Sequence, residues 1–202
     1  PPGVDEDTLP PPDRSADGIG IVDVLEERVV KVLTAGTDPE QVAVSADGTR
    51  VFVANEDAAL ASVVEIDTGT VLAELPVGGE PEGVTRSPNG RWVYITSEND
   101  SQVSVIDTQA LEIAAVFDVG ARPRSSTFSP DGTRAYVTAE NGSNVSVVDT
   151  NGHTVIETIE LSGENVRPMD AKVSPDGSRL YVSTGRGRTV AVIDTATYEI
   201  VG

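Results

Sequence analysis

The 202-residue chain is long enough to bury a core without disulfide or metal support, and its 33 acidic against 14 basic residues leave a formal charge of −19. That balance argues against nucleic acid as a partner and against docking on anionic bilayers, and no apolar run approaches the roughly 18 residues of a membrane span. Cysteine is absent, which excludes thiolate chemistry, while 19 Gly and 13 Pro announce a turn-rich fold.

In chain order, residues 1–18 come first, with five prolines, five acids and only Arg14. Such a stretch cannot bury enough apolar area to offset its ordering entropy, so it is read as a disordered leader or linker. The start at Pro1-Pro2, without Met, reads as a chain processed, trimmed or cut from a longer one. Residues 19–36 hold two strand patterns, Gly20-Ile21-Val22-Asp23 and Val29 to Gly36.

Four copies of a repeat follow, over 37–78, 79–120, 121–163 and 164–202. Each carries a turn segment: Ser45-Ala46-Asp47-Gly48, Ser87-Pro88-Asn89-Gly90, Ser129-Pro130-Asp131-Gly132 and Ser174-Pro175-Asp176-Gly177. Their glycines lie 42, 42 and 45 residues apart. A proline precedes each turn (Pro39, Pro81, Pro123, Pro168), and an Asp-Thr pair follows it (Asp67-Thr68, Asp107-Thr108, Asp149-Thr150, Asp194-Thr195). Apolar alternation in β-branched and aromatic runs predicts four strands per copy, at about 40–45, 50–55, 62–66 and 70–77 in the first. Sustained helical periodicity is absent. Four short antiparallel strands per repeat of about 42 residues predict an all-β fold, a β-propeller. About four and a half blades are present, which makes an incomplete ring.

In such a blade the Ser-Pro-Asp-Gly and Asp-Thr turns share one repetitive face, and the remaining loops form a variable face where specificity can be encoded. On the variable face the first two copies are acidic (Asp38, Glu40, Glu56, Asp57; Glu80, Glu82, Glu98, Asp100). The later two are net basic (Arg122, Arg124, Glu140; Glu164, Arg167, Arg186, Arg188). The expectation is an arginine arc of Arg122, Arg124, Arg167, Arg186 and Arg188 that holds a protein partner or a small anionic ligand through its carboxylate or phosphate. The plain alternative is a set of solvated loop charges.

Alternation along the innermost strand assigns Gln41, Thr85, Ser125, Thr127, Asp170 and Lys172 to the channel, with Ala43 and Gly83. The opposite set, Val42, Val44, Val84, Arg86, Ser126, Phe128, Ala171 and Val173, faces the neighbouring sheet, where Arg86 needs a partner or a path to solvent. His153, the single histidine, is read as solvated turn decoration. No zinc-type ligand set, nucleophile elbow, phosphate loop or EF-hand spacing occurs, so no catalytic residue, metal or cofactor is assigned.

The stretches Phe52-Val53-Ala54-Asn55, Tyr136-Val137-Thr138, Val103 to Thr108 and Val190 to Thr195 resemble the YVTN family of β-propeller repeat proteins. The runs Val77 to Gly83 and Val119 to Arg124 look most like the propellers associated with pyrroloquinoline-quinone-dependent alcohol catabolism. The resemblance implies a seven-bladed ring in the full protein and a non-catalytic binding or scaffold module, periplasmic or extracellular, accessory to a quinone-dependent oxidation. Some similar propellers open lactones, and there the carboxylates Glu40 and Glu82 would be the working groups. The chain departs from the family motif at Ser97, Ala139 and Thr184, which stand where Asn55 stands in the first copy. Glu65 is aligned with apolar strand residues, with two extra residues placed before it. An incomplete ring also leaves open sheet edges through which copies could self-associate.

Overall fold

The computed structural model describes residues 14–202. A two-stranded sheet, β1 (Ile19–Asp23) and β2 (Arg28–Leu33), comes first. Three four-stranded blades follow: β3 (Pro39–Val44), β4 (Arg50–Asn55), β5 (Leu60–Glu65) and β6 (Val71–Pro76); β7 (Pro81–Arg86), β8 (Trp92–Ser97), β9 (Gln102–Asp107) and β10 (Glu112–Asp118); β11 (Pro123–Phe128), β12 (Arg134–Ala139), β13 (Asn144–Asp149) and β14 (Thr154–Glu160). A three-stranded fourth blade closes the series with β15 (Ala171–Val173), β16 (Arg179–Ser183) and β17 (Val190–Asp194). Every pairing is antiparallel between consecutive strands, and the innermost strands β3, β7, β11 and β15 lie side by side. The fold is an open β-propeller.

The hydrophobic core is divided among the seams between sheets. Leu33, Val51, Val53 and Val64 fill the seam before the first blade, and Phe52, Val63, Val84, Val93 and Ile106 fill that between the first and second. Tyr94, Val105, Phe128 and Val137 close the next, and Tyr136, Val147, Leu180 and Ile193 the last. Each middle strand is thus buried on both faces, which explains why β4, β8 and β12 read as nearly continuous apolar runs. Each fully buried Val, Ile or Phe contributes about 1.5–3 kcal/mol relative to exposure. Val42 and Val44 stay 42 % and 48 % exposed, because the two-stranded sheet beside them has no inner strands to cover them.

The repeated motifs are a hydrogen-bonded device. In the second blade the Ser87 hydroxyl donates to Asn89 Oδ1 at 2.8 Å, while the same Ser oxygen accepts the Trp92 N–H at 2.9 Å. Gly90 completes the turn at φ +75°, which a side chain would strain. The Thr108 hydroxyl then donates to the Gly90 carbonyl at 2.8 Å, and Thr150 and Thr195 do the same to Gly132 and Gly177. Motifs 18 residues apart travel together because they bond each other.

Three expectations are corrected. Arg50 pairs with Glu65 as Arg134 pairs with Asp149, so Glu65 holds the Asp position of the later blades; the first blade has no insertion, and Asp67-Thr68 sits further into the turn. Of the expected leader, residues 1–13 lie outside the described residues, but Arg14–Ala16 forms a 3-10 turn. Arg14 is held there by three carboxylates, Asp17 at 3.5 Å, Asp38 at 3.3 Å and Asp57, whose mutual repulsion it relieves.

The third correction concerns His153, which is not decoration. It occupies the left-handed position of the β13–β14 hairpin, as Leu111 and Tyr198 do in theirs, and these residues plug back onto the preceding seam. Its Nδ1 bonds the hydroxyl of the fully buried Tyr94 at 2.8 Å, and its ring meets Trp92 edge-on at 4.8 Å between centroids. Burial depresses its pKa below the ordinary value, with Asp149 opposing the shift.

Candidate functional site

The variable face is built on the residues flanking each Gly-x-x-Pro motif and on the loop after each blade's second strand. Asp38, Glu80 and Arg122, each just before the motif's Pro, adopt left-handed φ angles of 52°, 49° and 57°. Non-glycine residues carry strain there, and the geometry places these side chains at the entrance to each seam. The Gly is fixed by a close approach. A Cβ on Gly78 would stand 3.0 Å from Ser97 Cβ and 2.6 Å from the Asp100 carboxylate.

The loop after the second strand begins with Glu56, Glu98 and Glu140 in the first three blades. Glu98 and Glu140 are buried, at 5 % and 7 % exposure; Glu98 is met by two arginines from the next blade, and Glu140 by one from the next blade and by Arg122 of its own. Arg122 reaches Glu98 at 2.6 Å and Glu140 at 3.3 Å; Arg124 pairs with Glu98 and with Glu82 at 2.9 Å; Arg167 pairs with Glu140 at 2.8 Å. The result is a ladder of alternating charge across two seams. Three of the five arginines of the expected arc are therefore neutralised within the protein. Glu98 and Glu140 were legible as loop acids, but their seam position depends on the blade-to-blade packing.

In the first seam no arginine meets Glu56 among the described residues, and the nearby Arg14 is paired with Asp38 and Asp57. Glu56 faces Glu40 and Glu80, and carboxylate oxygens of Asp38, Glu40 and Glu56 lie within 4.8 Å of one another, a spacing compatible with a cation. Burial raises the Glu56 pKa, and a hydrogen bond with Glu40 and the charges of Glu40, Asp38 and Glu80 raise it further. Glu82 is also raised, first by burial and then by Glu98 and Glu56, against the pull of Arg124 and Arg122. At the other end of the face Arg186 and Arg188 are exposed, and neither takes part in an ion pair or side-chain hydrogen bond among the described residues.

Gln41, Thr85, Ser125, Thr127, Asp170 and Lys172 line one cavity of about 440 Å³ among the inner strands. Several of them also stitch blades together. Thr85 donates to the Ser126 carbonyl at 2.9 Å and Ser125 to Asp170 at 2.7 Å, while Lys172 donates to Asp170 at 3.2 Å within the fourth blade. Burial alone would raise the Asp170 pKa, but the Ser125 hydroxyl and Lys172 ammonium hold it below the usual carboxylate range. Ala43 packs on the first seam, so it belongs to the core. Gly83 is buried against Arg124 and Ser125 of the next inner strand, and its N–H bonds Thr96 Oγ1 of β8 in its own blade at 2.8 Å. Arg86 meets no carboxylate among the described residues; its guanidinium runs out to the Ser87 carbonyl at 3.2 Å.

A family model described as "Lactonase, 7-bladed beta-propeller" matches residues 112–195. No curated protein matches the sequence. Among solved structures, the chain is similar to hydrazine synthase of Kuenenia stuttgartiensis, at 28 % identity and a TM-score of 0.76 over 86 % of this chain and 50 % of that one. It is also similar to a functionally unknown protein from Desulfotomaculum acetoxidans DSM 771, at 17 % identity and a TM-score of 0.76 over 92 % of this chain and 63 % of that one. The chain thus spans half the length of the first and under two thirds of the second. Both likenesses support the propeller fold.

Proposed function

We propose that this chain is part of a non-catalytic propeller that binds a partner across its variable face. The observation that supports the reading is the charge ladder: among the described residues it pairs Arg122, Arg124 and Arg167 internally, and it leaves carboxylates without an ion pair at Glu40, Glu56 and Glu80 towards one end of the face and the guanidinium groups of Arg186 and Arg188 at the other. A surface of that kind selects a partner with the opposite arrangement of charge. We assign it a periplasmic or extracellular setting as an accessory of quinone-dependent oxidation, in line with the YVTN-like motifs.

Lactone hydrolysis is the second reading, favoured by the lactonase family match and by the part-buried Glu82, whose raised pKa suits a general base. Against it, Glu40, Glu56 and Glu82 all lie outside the matched span of 112–195. Two measurements separate the readings. A labelled peptide carrying a Lys block and an Asp block binds in a salt-dependent manner, at least tenfold more weakly to Glu40→Gln/Glu56→Gln. In a pH-stat, five- and six-membered lactones turn over at the background rate. Absence of peptide binding, or lactone turnover lost in Glu82→Gln, overturns the proposal.

A further inference from the structure

The loop after each blade's second strand ends in the same left-handed backbone position, but in the fourth blade it is a 3-10 turn opening on a left-handed Gly185 and its charge is inverted. It reads Glu56-Asp57-Ala58-Ala59, Glu98-Asn99-Asp100-Ser101 and Glu140-Asn141-Gly142-Ser143, then Gly185-Arg186-Gly187-Arg188. The last residue of each is left-handed, with φ of 53°, 55°, 53° and 59°, so these positions correspond in space as well as in order. The first three loops spend their leading Glu on a seam, whereas the fourth has no carboxylate and two arginines.

Those arginines stand apart among the described residues. All 14 basic residues fall within the described part, and twelve of them hold at least one carboxylate or carbonyl oxygen. Among the described residues, only Arg186 and Arg188 hold none. Their loop is nonetheless firmly held. Thr184 accepts the Thr189 N–H at 3.0 Å and donates to the Thr189 carbonyl at 2.8 Å, pinning the loop's base, and the Arg188 N–H bonds the Gly185 carbonyl at 3.0 Å. Both arginines line one cleft of about 530 Å³ with Ser162, Asn165 and Thr189, and Glu164 is its one acid.

We propose that this cleft binds an oxyanion, the phosphate or carboxylate of a ligand or partner, through Arg186 and Arg188. Two guanidinium forks two residues apart on a pinned loop offer paired N–H donors to such a group, and Ser162, Asn165 and Thr189 add neutral donors beside them. Glu164 disfavours weakly held anions and so favours a group that engages both arginines. The inference rests on the binding reading above and narrows it to one loop. It fails independently of that reading, because the peptide measurement there is scored at Glu40 and Glu56.

The test is a titration of the 15N-labelled chain with inorganic phosphate and, separately, with succinate. Saturating amide shifts confined to the cleft (residues 162–166 and 185–189) are expected for at least one anion, and the anion that saturates identifies the group recognised. Arg186→Ala/Arg188→Ala removes the response, and Arg186→Lys/Arg188→Lys weakens it at least fivefold, since lysine keeps the charge but not the fork. Neither side chain makes a contact whose loss would unfold the chain, and unchanged shifts in the other blades verify this. No saturating shift with either anion, or the same shifts in the double alanine variant, overturns the proposal.

Discussion

Replacing His153 by Leu tests whether the hairpin residue is a structural plug between blades. The substitution leaves the Tyr94 hydroxyl, in a side chain with 0 % exposure, without its 2.8 Å partner. An orphaned buried hydroxyl costs about 1–3 kcal/mol. Loss of the edge-on contact with Trp92 adds about 0.5–1.5 kcal/mol. Burial of the more apolar Leu returns about 1 kcal/mol. The net destabilisation is about 2 kcal/mol at pH 7.5. The double variant Tyr94→Phe/His153→Leu recreates the preceding seam, where Phe52 and Leu111 belong to one apolar cluster, and recovers most of that loss.

Dependence on pH supplies the sharper part. The folded pKa of His153 lies below the ordinary imidazole value of about 6.5, so between the two values the unfolded chain binds the extra proton. The stabilisation is therefore complete above pH 6.5 and is lost as pH falls through the folded pKa. Urea unfolding followed by Trp92, the single tryptophan, at pH 7.5 and 5.5 measures it. The gap between the parent chain and the His153→Leu variant narrows at pH 5.5. If the two lose equal stability between these pH values, His153 is not buried as neutral imidazole and the plug argument fails.

Glu98→Gln breaks the ladder at its most buried rung and destabilises by about 3 kcal/mol in the same urea assay, since two arginines lose their shared counter-charge. Arg122→Ala, at a side chain 44 % exposed, costs no more than about 1 kcal/mol, so equal losses for the two variants would refute the seam assignment. Glu56→Gln raises the urea midpoint at pH 7.5 and not at pH 4: a carboxyl whose folded pKa is raised stabilises only below its unfolded value and loses that contribution as pH rises through the folded one. An unchanged midpoint at pH 7.5 counts against the acidic seam. Gly78→Ala drives a Cβ toward Ser97 and Asp100 at φ +97° and costs about 2 kcal/mol or more, measured by the same unfolding; a neutral result would show that the motif glycine serves no packing role.

Much of the fold was readable because its determinants are local. A Ser oxygen that receives the N–H five residues on, a Gly at φ +75° and an Asp-Thr pair that bonds back to it specify a turn with nothing from elsewhere in the chain. Their recurrence counted the blades. Where the pattern misled, the reason is also local: Asp67-Thr68 imitates the motif two residues late, and only the pairing of Arg50 with Glu65 reveals which carboxylate holds the position.

Charge was where sequence and structure diverged. Residue by residue the variable face reads as acidic blades followed by basic ones, yet Arg122 and Arg124 belong energetically to Glu82 and Glu98 of the blade before them. Spacing in sequence cannot express that, because the seam joins residues about a blade apart whose approach is set by packing of the inner strands. His153 shows the same limit, since its partners Trp92 and Tyr94 lie in the previous blade. The amino-acid sequence alone determined the blades, their turns and the net charge of −19, all consequences of short-range hydrogen bonding, strand periodicity and composition. Tertiary structure decided which charges cancel and which remain free, because pairing of charges falls off with distance in space and takes no account of order along the chain.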